Sequence, residues 1–106
     1  MVSSTRAYND GQWHHVAARL SLEGQFLFLD GERVASDPDV RESSHYPGFW
    51  RIGYDNFGNW VPLPRSFRFQ GVLDEVRVSR AAWSEEFIRL AFANQKPGSV
   101  LVSRKK

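Results

Sequence analysis

The chain has 106 residues, 42% of them hydrophobic and 14% aromatic, which supplies one buried core and is too little for two. It has no cysteine, so a disulfide framework and thiolate metal sites are excluded. The formal charge is +2, from 14 Lys and Arg against 12 Asp and Glu, with arginine spread along the chain; no basic stripe or recognition helix marks it for nucleic acid, and the one basic cluster is Arg104, Lys105 and Lys106.

No run of 18 apolar residues is present, so no membrane span is expected, and residues 1–6 contain no apolar run that reads as a signal peptide. Asn9, Asp10 and Gly11 are a turn signal that leads into a strand over residues 13–20. After a turn over residues 21–24 comes the strand Gln25, Phe26, Leu27, Phe28, Leu29, which is apolar on both faces and so predicts cover on both sides. Asp30-Gly31 is a two-residue hairpin signal, and residues 32–36 return from it. Residues 13–36 therefore predict a three-stranded antiparallel meander.

Residues 37–48, with Pro38 and Pro47, read as loop, residues 49–54 as a strand, and residues 55–66, with Gly58, Pro62 and Pro64, as a second long loop. Residues 69–78 are the longest strand-like run. Val72, Val76 and Val78 fall on one face at period two and Leu73, Glu75 and Arg77 on the other. The apolar parity changes across Gly71, which predicts a bulge there, and Asp74 lies on the valine face as a buried acid that accepts backbone hydrogen bonds. Ser84 is positioned to cap a helix whose first turn carries Glu85 and Glu86 at the positive end of the dipole. Phe87, Ile88, Ala91 and Phe92 share one side, Trp83 and Ile88 are spaced as a hydrophobic staple, and residues 94–98 stop the helix. Val100, Leu101 and Val102 read as a short edge strand, and residues 103–106 as unstructured.

Five stretches stand in order along residues 8–98: Trp13-His14-His15-Val16-Ala17, Leu27-Phe28-Leu29-Asp30-Gly31, Arg51-Ile52-Gly53, the run from Phe69 to Val78, and the helix of residues 83–95. In that order they resemble the landmarks of laminin-G-like, concanavalin A-like lectin/glucanase jelly-roll domains. The resemblance implies an all-β antiparallel jelly-roll sandwich, seen here as about six or seven strands and one short C-terminal helix. Those landmarks belong to the second half of such a domain. Residues 1–106 are accordingly expected to be a single laminin-G-like domain truncated at its N-terminal half, with a tail over residues 99–106.

Some relatives implied by the resemblance are glycoside hydrolases, which place alternating acids on one strand so that a retaining pair stands about 5–5.5 Å apart. Here Asp74 and Glu75 are adjacent and point to opposite faces, and no other predicted strand alternates acids, so no catalytic residue is assigned. His14 and His15 likewise face opposite sides and do not chelate one metal together. His15 reads as a core or hydrogen-bonded histidine beside Trp13, the alternative being a metal role with His45.

The loop after the strand of residues 49–54 carries the expected site. Asp55, Asn56 and Asn59 are hard oxygen donors around Gly58 and suit calcium, which laminin-G-like domains bind at rim loops; Asn, Asp and Gly are equally the ordinary turn residues. Tyr54, Phe57 and Trp60, with Asn59 as a polar partner, offer flat faces for sugar C–H surfaces, and Trp60 is the best exposed candidate. The expected function is a non-catalytic carbohydrate-binding or adhesion module, extracellular or at the cell surface, whose partner is a polysaccharide or other glycan. The alternatives are a glycoside hydrolase-related enzyme, which would need a second acid beside Asp74 or Glu75, and a structural protein–protein interaction domain. Strands 26–29 and 72–78, short of partners in a half domain, predict a homodimer rather than a self-sufficient monomer.

Overall fold

Three strands and one helix make up the regular structure of the residues that the computed structural model describes: 2–43, 51–54, 65–66 and 68–95. Strand β1 is Val16–Ser21, β2 is Gly24–Leu29, β3 is Glu32–Asp37, and helix α1 is Glu85–Gln95. The chain divides into two compact units, one of Met1–Ser44 with Ser79–Lys106 and one of His45–Val78. The strands and the helix all belong to the first.

The meander predicted from the turn residues is present, in the order β1-β2-β3 with both pairings antiparallel. β1 and β2 pair in continuous register from Val16 with Leu29 to Ser21 with Gly24. β2 and β3 pair Leu27 with Ala35 and then Phe28 with Arg33, which leaves Val34 as the extra residue of a bulge. The connecting turn is of the kind expected of Asp-Gly, with φ of +53° at Asp30 and +79° at Gly31.

Phe26 and Phe28 lie two residues apart and therefore on one face of β2, where they form a buried cluster with Ile88 of α1; Phe28 is fully buried. Full burial of a Phe side chain contributes roughly 1.5–3 kcal/mol. Ala17 and Trp83 pack around this cluster. Arg19 adds its guanidinium, with Cζ 4.6 Å from the Phe26 ring centre and 5.5 Å from that of Phe28. The helix begins as predicted: Ser84 Oγ accepts the N–H of Phe87 at 3.2 Å, and the Ser84 carbonyl accepts that of Ile88 at 3.0 Å. Trp83 meets Phe87 edge-on at 4.4 Å between ring centres, so it docks on the first turn of α1 as well as on the core.

In the second unit the run over residues 69–78 is not a strand. Its backbone pairing among the described residues is limited to the entry, where Tyr54 and Arg68 form an isolated antiparallel bridge and the Phe69 N–H donates to the Gly53 carbonyl at 2.6 Å. Period-two alternation expresses a preference for a pleated surface, but a strand exists only where a neighbour takes its hydrogen bonds. Glu75 also adopts φ +54°, which breaks the extended path in mid-run. Asp74 is exposed and accepts the Glu75 N–H at 2.9 Å, so it is a turn acid rather than the buried acceptor expected on a valine face. Gly71 is not a bulge either. The Phe69 ring lies over it, and an added Cβ would come within 2.6 Å of Phe69 Cζ. Of the strand expected over residues 49–54, Tyr54 pairs; residues 49–50 and 100–102 lie outside the described residues.

Gly31 is the position where turn and core meet, because it needs positive φ and a Cβ there would sit 3.1 Å from Phe92 Cδ1 and 3.4 Å from Arg89 Cα. Gly31→Ala is expected to destabilise the fold by at least about 1–2 kcal/mol, the strain of a left-handed L-residue, with crowding against α1 added to it. Urea denaturation measures this, and an unshifted midpoint would show that the turn relaxes without disturbing the helix.

Candidate functional site

Tyr54 is the member of the expected aromatic site that falls among the described residues. It is half exposed, at 52%, on the second unit, and the Arg68 guanidinium sits 5.6 Å from its ring centre. The antiparallel bridge sets this contact, since it brings the two residues opposite one another. The guanidinium draws on the negative ring face and leaves the rest of the ring to solvent. Phe69, the residue after Arg68, is 57% exposed. Phe57, Asn59 and Trp60, and with Asp55 and Asn56 the whole expected calcium set, lie outside the described residues, as does His45. Among the described residues no group of three His, Cys, Asp or Glu side chains is arranged to hold a metal ion. No helix among them is long and apolar enough to cross a membrane.

The first unit holds a polar cluster that sequence reasoning treated as two separate turns. His14 Nδ1 lies 2.7 Å from Asp30 Oδ2, and its Nε2 lies 2.7 Å from Asp10 Oδ1. Ionised carboxylates only accept hydrogen bonds, so both contacts form together when each ring nitrogen carries a proton; the cluster favours the imidazolium. The other Asp30 oxygen accepts the His15 N–H at 2.9 Å, while the Asp30 N–H donates to the His15 carbonyl at 2.8 Å. Asp30 thereby ties the hairpin turn to the entry of β1, and Asp10, which also accepts the Gln12 N–H at 3.0 Å, ties its own turn to the same imidazole. Tyr8 stands edge-on to His14 at 5.1 Å, under the Arg6 guanidinium at 5.0 Å. Asp10 was visible in the sequence as a turn residue, and its pairing with His14 was not. The partner from residue 30 is a long-range contact that no local spacing announces.

This arrangement neutralises His14 rather than presenting it. Both nitrogens are occupied and the side chain is only 14% exposed, so neither nitrogen is open to a substrate proton. His15 is partly buried as expected, with its ring tilted against Phe92 at 6.1 Å between centres, whereas Trp13 is 65% exposed.

The described residues define a mostly β fold, a three-stranded antiparallel sheet with one short helix on the Phe26–Phe28 face. Residues 1–89 match the laminin-G family model described as the Concanavalin A-like lectin/glucanases superfamily, and the chain belongs to that family. No curated protein matches the chain. A crystal structure of residues 221–444 of an S-layer domain-containing protein from Clostridium thermocellum ATCC 27405 is similar with a TM-score of 0.68 at 23% sequence identity. The similarity covers 86% of this chain and 44% of that one, so the chain spans less than half the length of that structure. At this identity the likeness bears on the fold alone.

The charge cluster predicts a pH optimum of stability. Hydrogen bonds to Asp30 and then to Asp10 raise the His14 pKa above its ordinary 6.5, against the opposing effect of burial. The hydrogen bond from His14, then that from the Gln12 N–H, lowers Asp10 below 3.8. Burial pushes Asp30 up, but its bonds from His14 and the His15 N–H outweigh this and hold it below 3.8. A raised histidine contributes stability that is complete below 6.5 and lost as pH rises through the folded value. The lowered carboxylates contribute stability that is present above 3.8 and lost as pH falls through theirs. The melting temperature should therefore peak between 3.8 and 6.5, and His14→Gln should flatten the decline on the alkaline side. Thermal melts from below 3.8 to well above 6.5 check both statements; an alkaline decline of equal depth in the variant would remove His14 as its source.

Proposed function

We propose that this chain is a non-catalytic carbohydrate-binding or adhesion module of an extracellular or cell-surface protein, part of a complete jelly-roll sandwich, with its sugar platform beginning at Tyr54. The observation that carries the reading is the half-exposed Tyr54 ring with Arg68 against it. An apolar plane beside a polar donor is what a sugar ring requires: the plane takes the C–H face and the donor a hydroxyl. Membership of a lectin/glucanase superfamily supports the same reading, and the S-layer description of the similar structure fits a surface location. The enzyme alternative has less behind it, because Asp74 and Glu75 are exposed, Asp74 spends an oxygen on its neighbour's N–H, and Glu75 is paired with Arg77 at 3.0 Å.

Tyr54, Phe57 and Trp60 are proposed to stack on the sugar, with Asn59 as a hydrogen-bonding partner. Calcium is proposed at Asp55, Asn56 and Asn59 on the chemistry of their oxygen donors alone. A glycan array followed by calorimetry tests the platform. Tyr54→Ala and Trp60→Ala should each cost about 1 kcal/mol of affinity, the scale of a lost aromatic stack. Unchanged affinity in both variants would remove the platform, and the absence of any calcium heat after EDTA treatment would remove the metal.

Self-association is a second proposal, favoured by the exposure of Phe69, Val72, Leu73, Val76 and Val78 along one segment whose backbone pairing among the described residues is limited to its start. Such a run recruits a second copy by strand pairing and apolar burial. Light scattering should then give a mass that rises from monomer to dimer with concentration. A concentration-independent monomer with a cooperative melt would defeat it.

A further inference from the structure

We propose that Asp10 is a site of spontaneous covalent modification, at which the Gly11 nitrogen attacks the side-chain carboxyl carbon, closes a succinimide and, after hydrolysis, leaves an isoaspartate. The strands and turns of the first unit contain two Asp-Gly pairs, Asp10-Gly11 and Asp30-Gly31. Glycine suits the attack in both, because no Cβ obstructs its nitrogen. The dipeptide alone does not choose between them; the surroundings do.

At Asp10 both hydrogen bonds fall on one oxygen. Oδ1 accepts the Gln12 N–H at 3.0 Å and lies 2.7 Å from His14 Nε2, while Oδ2 takes no hydrogen bond among the described residues. Those are the distances at which paired donors hold an oxyanion, roughly 2.7–3.1 Å. As the Gly11 nitrogen adds to Cγ, charge gathers on Oδ1 between an amide and an imidazolium. Oδ2 is the oxygen free to leave. It departs as water with the hydrogen of the Gly11 N–H and one proton from solvent, so that a carboxylate, an amide N–H and a proton become an imide and one water. The site is also open: the Asp10 side chain is 42% exposed and Gly11 has φ +75°. Apart from its chain neighbours, no described residue comes within 4 Å of where a Gly11 Cβ would stand.

Asp30 is arranged the other way. Its oxygens are engaged separately, Oδ1 by the His15 N–H and Oδ2 by His14 Nδ1, so neither is free to depart. Both bonds hold the carboxyl against the entry of β1. The Asp30 N–H is tied to the His15 carbonyl, and Gly31 lies against Phe92 and Arg89. Two identical dipeptides thus stand in opposite states, one poised and one protected. The consequence falls on their shared imidazole. Water that opens the ring at the former main-chain carbonyl routes the backbone through Cγ and leaves the free carboxylate on Cα. Oδ1 is then a peptide oxygen, and His14 keeps Asp30 as its carboxylate partner. The turn before β1 loses its ionic tie.

The test incubates the full chain just below pH 6.5, where His14 is charged, and then digests it with trypsin. Cleavage after Arg6, Arg19 and Arg33 places Asp10 on residues 7–19 and Asp30 on residues 20–33. Isoaspartate, separated by chromatography and located by fragmentation, should build up at Asp10 at least about tenfold faster than at Asp30, a small part of what one well-placed donor contributes. The same two peptides incubated after digestion should react at like rates. Gly11→Ala should slow the Asp10 reaction several-fold. His14→Gln takes the cation from Asp10 Oδ1 and a partner from Asp30 Oδ2, so it should slow the first site and speed the second. Equal rates at the two sites in the folded chain, a faster Asp30, the same preference in the cut peptides, or an unslowed Asp10 in Gly11→Ala would each overturn the assignment. A rise at both sites in a His14→Gln chain that still melts cooperatively would overturn the part given to the imidazolium.

Discussion

The burial of Phe26 and Phe28 against Ile88 is the constraint on which the first unit depends, because it joins a hairpin sheet to a helix some sixty positions further along the chain. A three-stranded meander with one face bare is marginal in water, and α1 supplies the apolar cover that a further strand layer would otherwise provide. Several residues of this unit are arranged around that seam. Gly31 is bare so that the helix can approach the turn, Trp83 docks on the first helical turn, and Arg19 is pinned between the aromatic rings and the Trp83 carbonyl. Arg33 completes the pattern from β3, 5.7 Å from the Phe26 ring centre and 3.4 Å from Glu85 on the helix.

The parts of this fold that were legible in the sequence are those encoded within a few residues. Asp30-Gly31 specifies its turn type by itself, Ser84 caps its helix by an i to i+3 contact, and the Phe26–Phe28 spacing places both rings on one face. Residues 69–78 misled for the opposite reason. Their alternation is real, but pairing is a property of two segments, and only one of them is present in the pattern. Asp74 followed the same error: its burial was deduced from a strand, and once that path breaks at Glu75 the carboxylate simply turns back on the adjacent N–H. The Asp10–His14–Asp30 cluster was illegible because its closing contact spans sixteen positions, and the orphaned Nε of Arg19 because it is visible only once every other partner has been counted.

Those two polar groups are instructive side by side. His14 is a cation whose ring nitrogens are both answered by carboxylates at 2.7 Å, so its charge is spent on holding two turns together. Arg19 is a cation of similar burial whose fork is answered on one side and left short on the other. The first arrangement stabilises and has no remaining valence for a ligand. The second leaves a desolvated donor without a partner, a deficit that the rest of the fold tolerates.

The proposed Tyr54 surface is open rather than enclosed, and this sets the kind of binding it can give. The Tyr54 ring is half exposed, so it does not exclude water around a whole sugar. A single stack at such a surface holds a monosaccharide weakly, because most of the ligand's own hydration must remain in place. On the proposed glycan reading, useful affinity comes from repetition, with copies of the domain meeting one polymer so that later contacts form at high effective concentration.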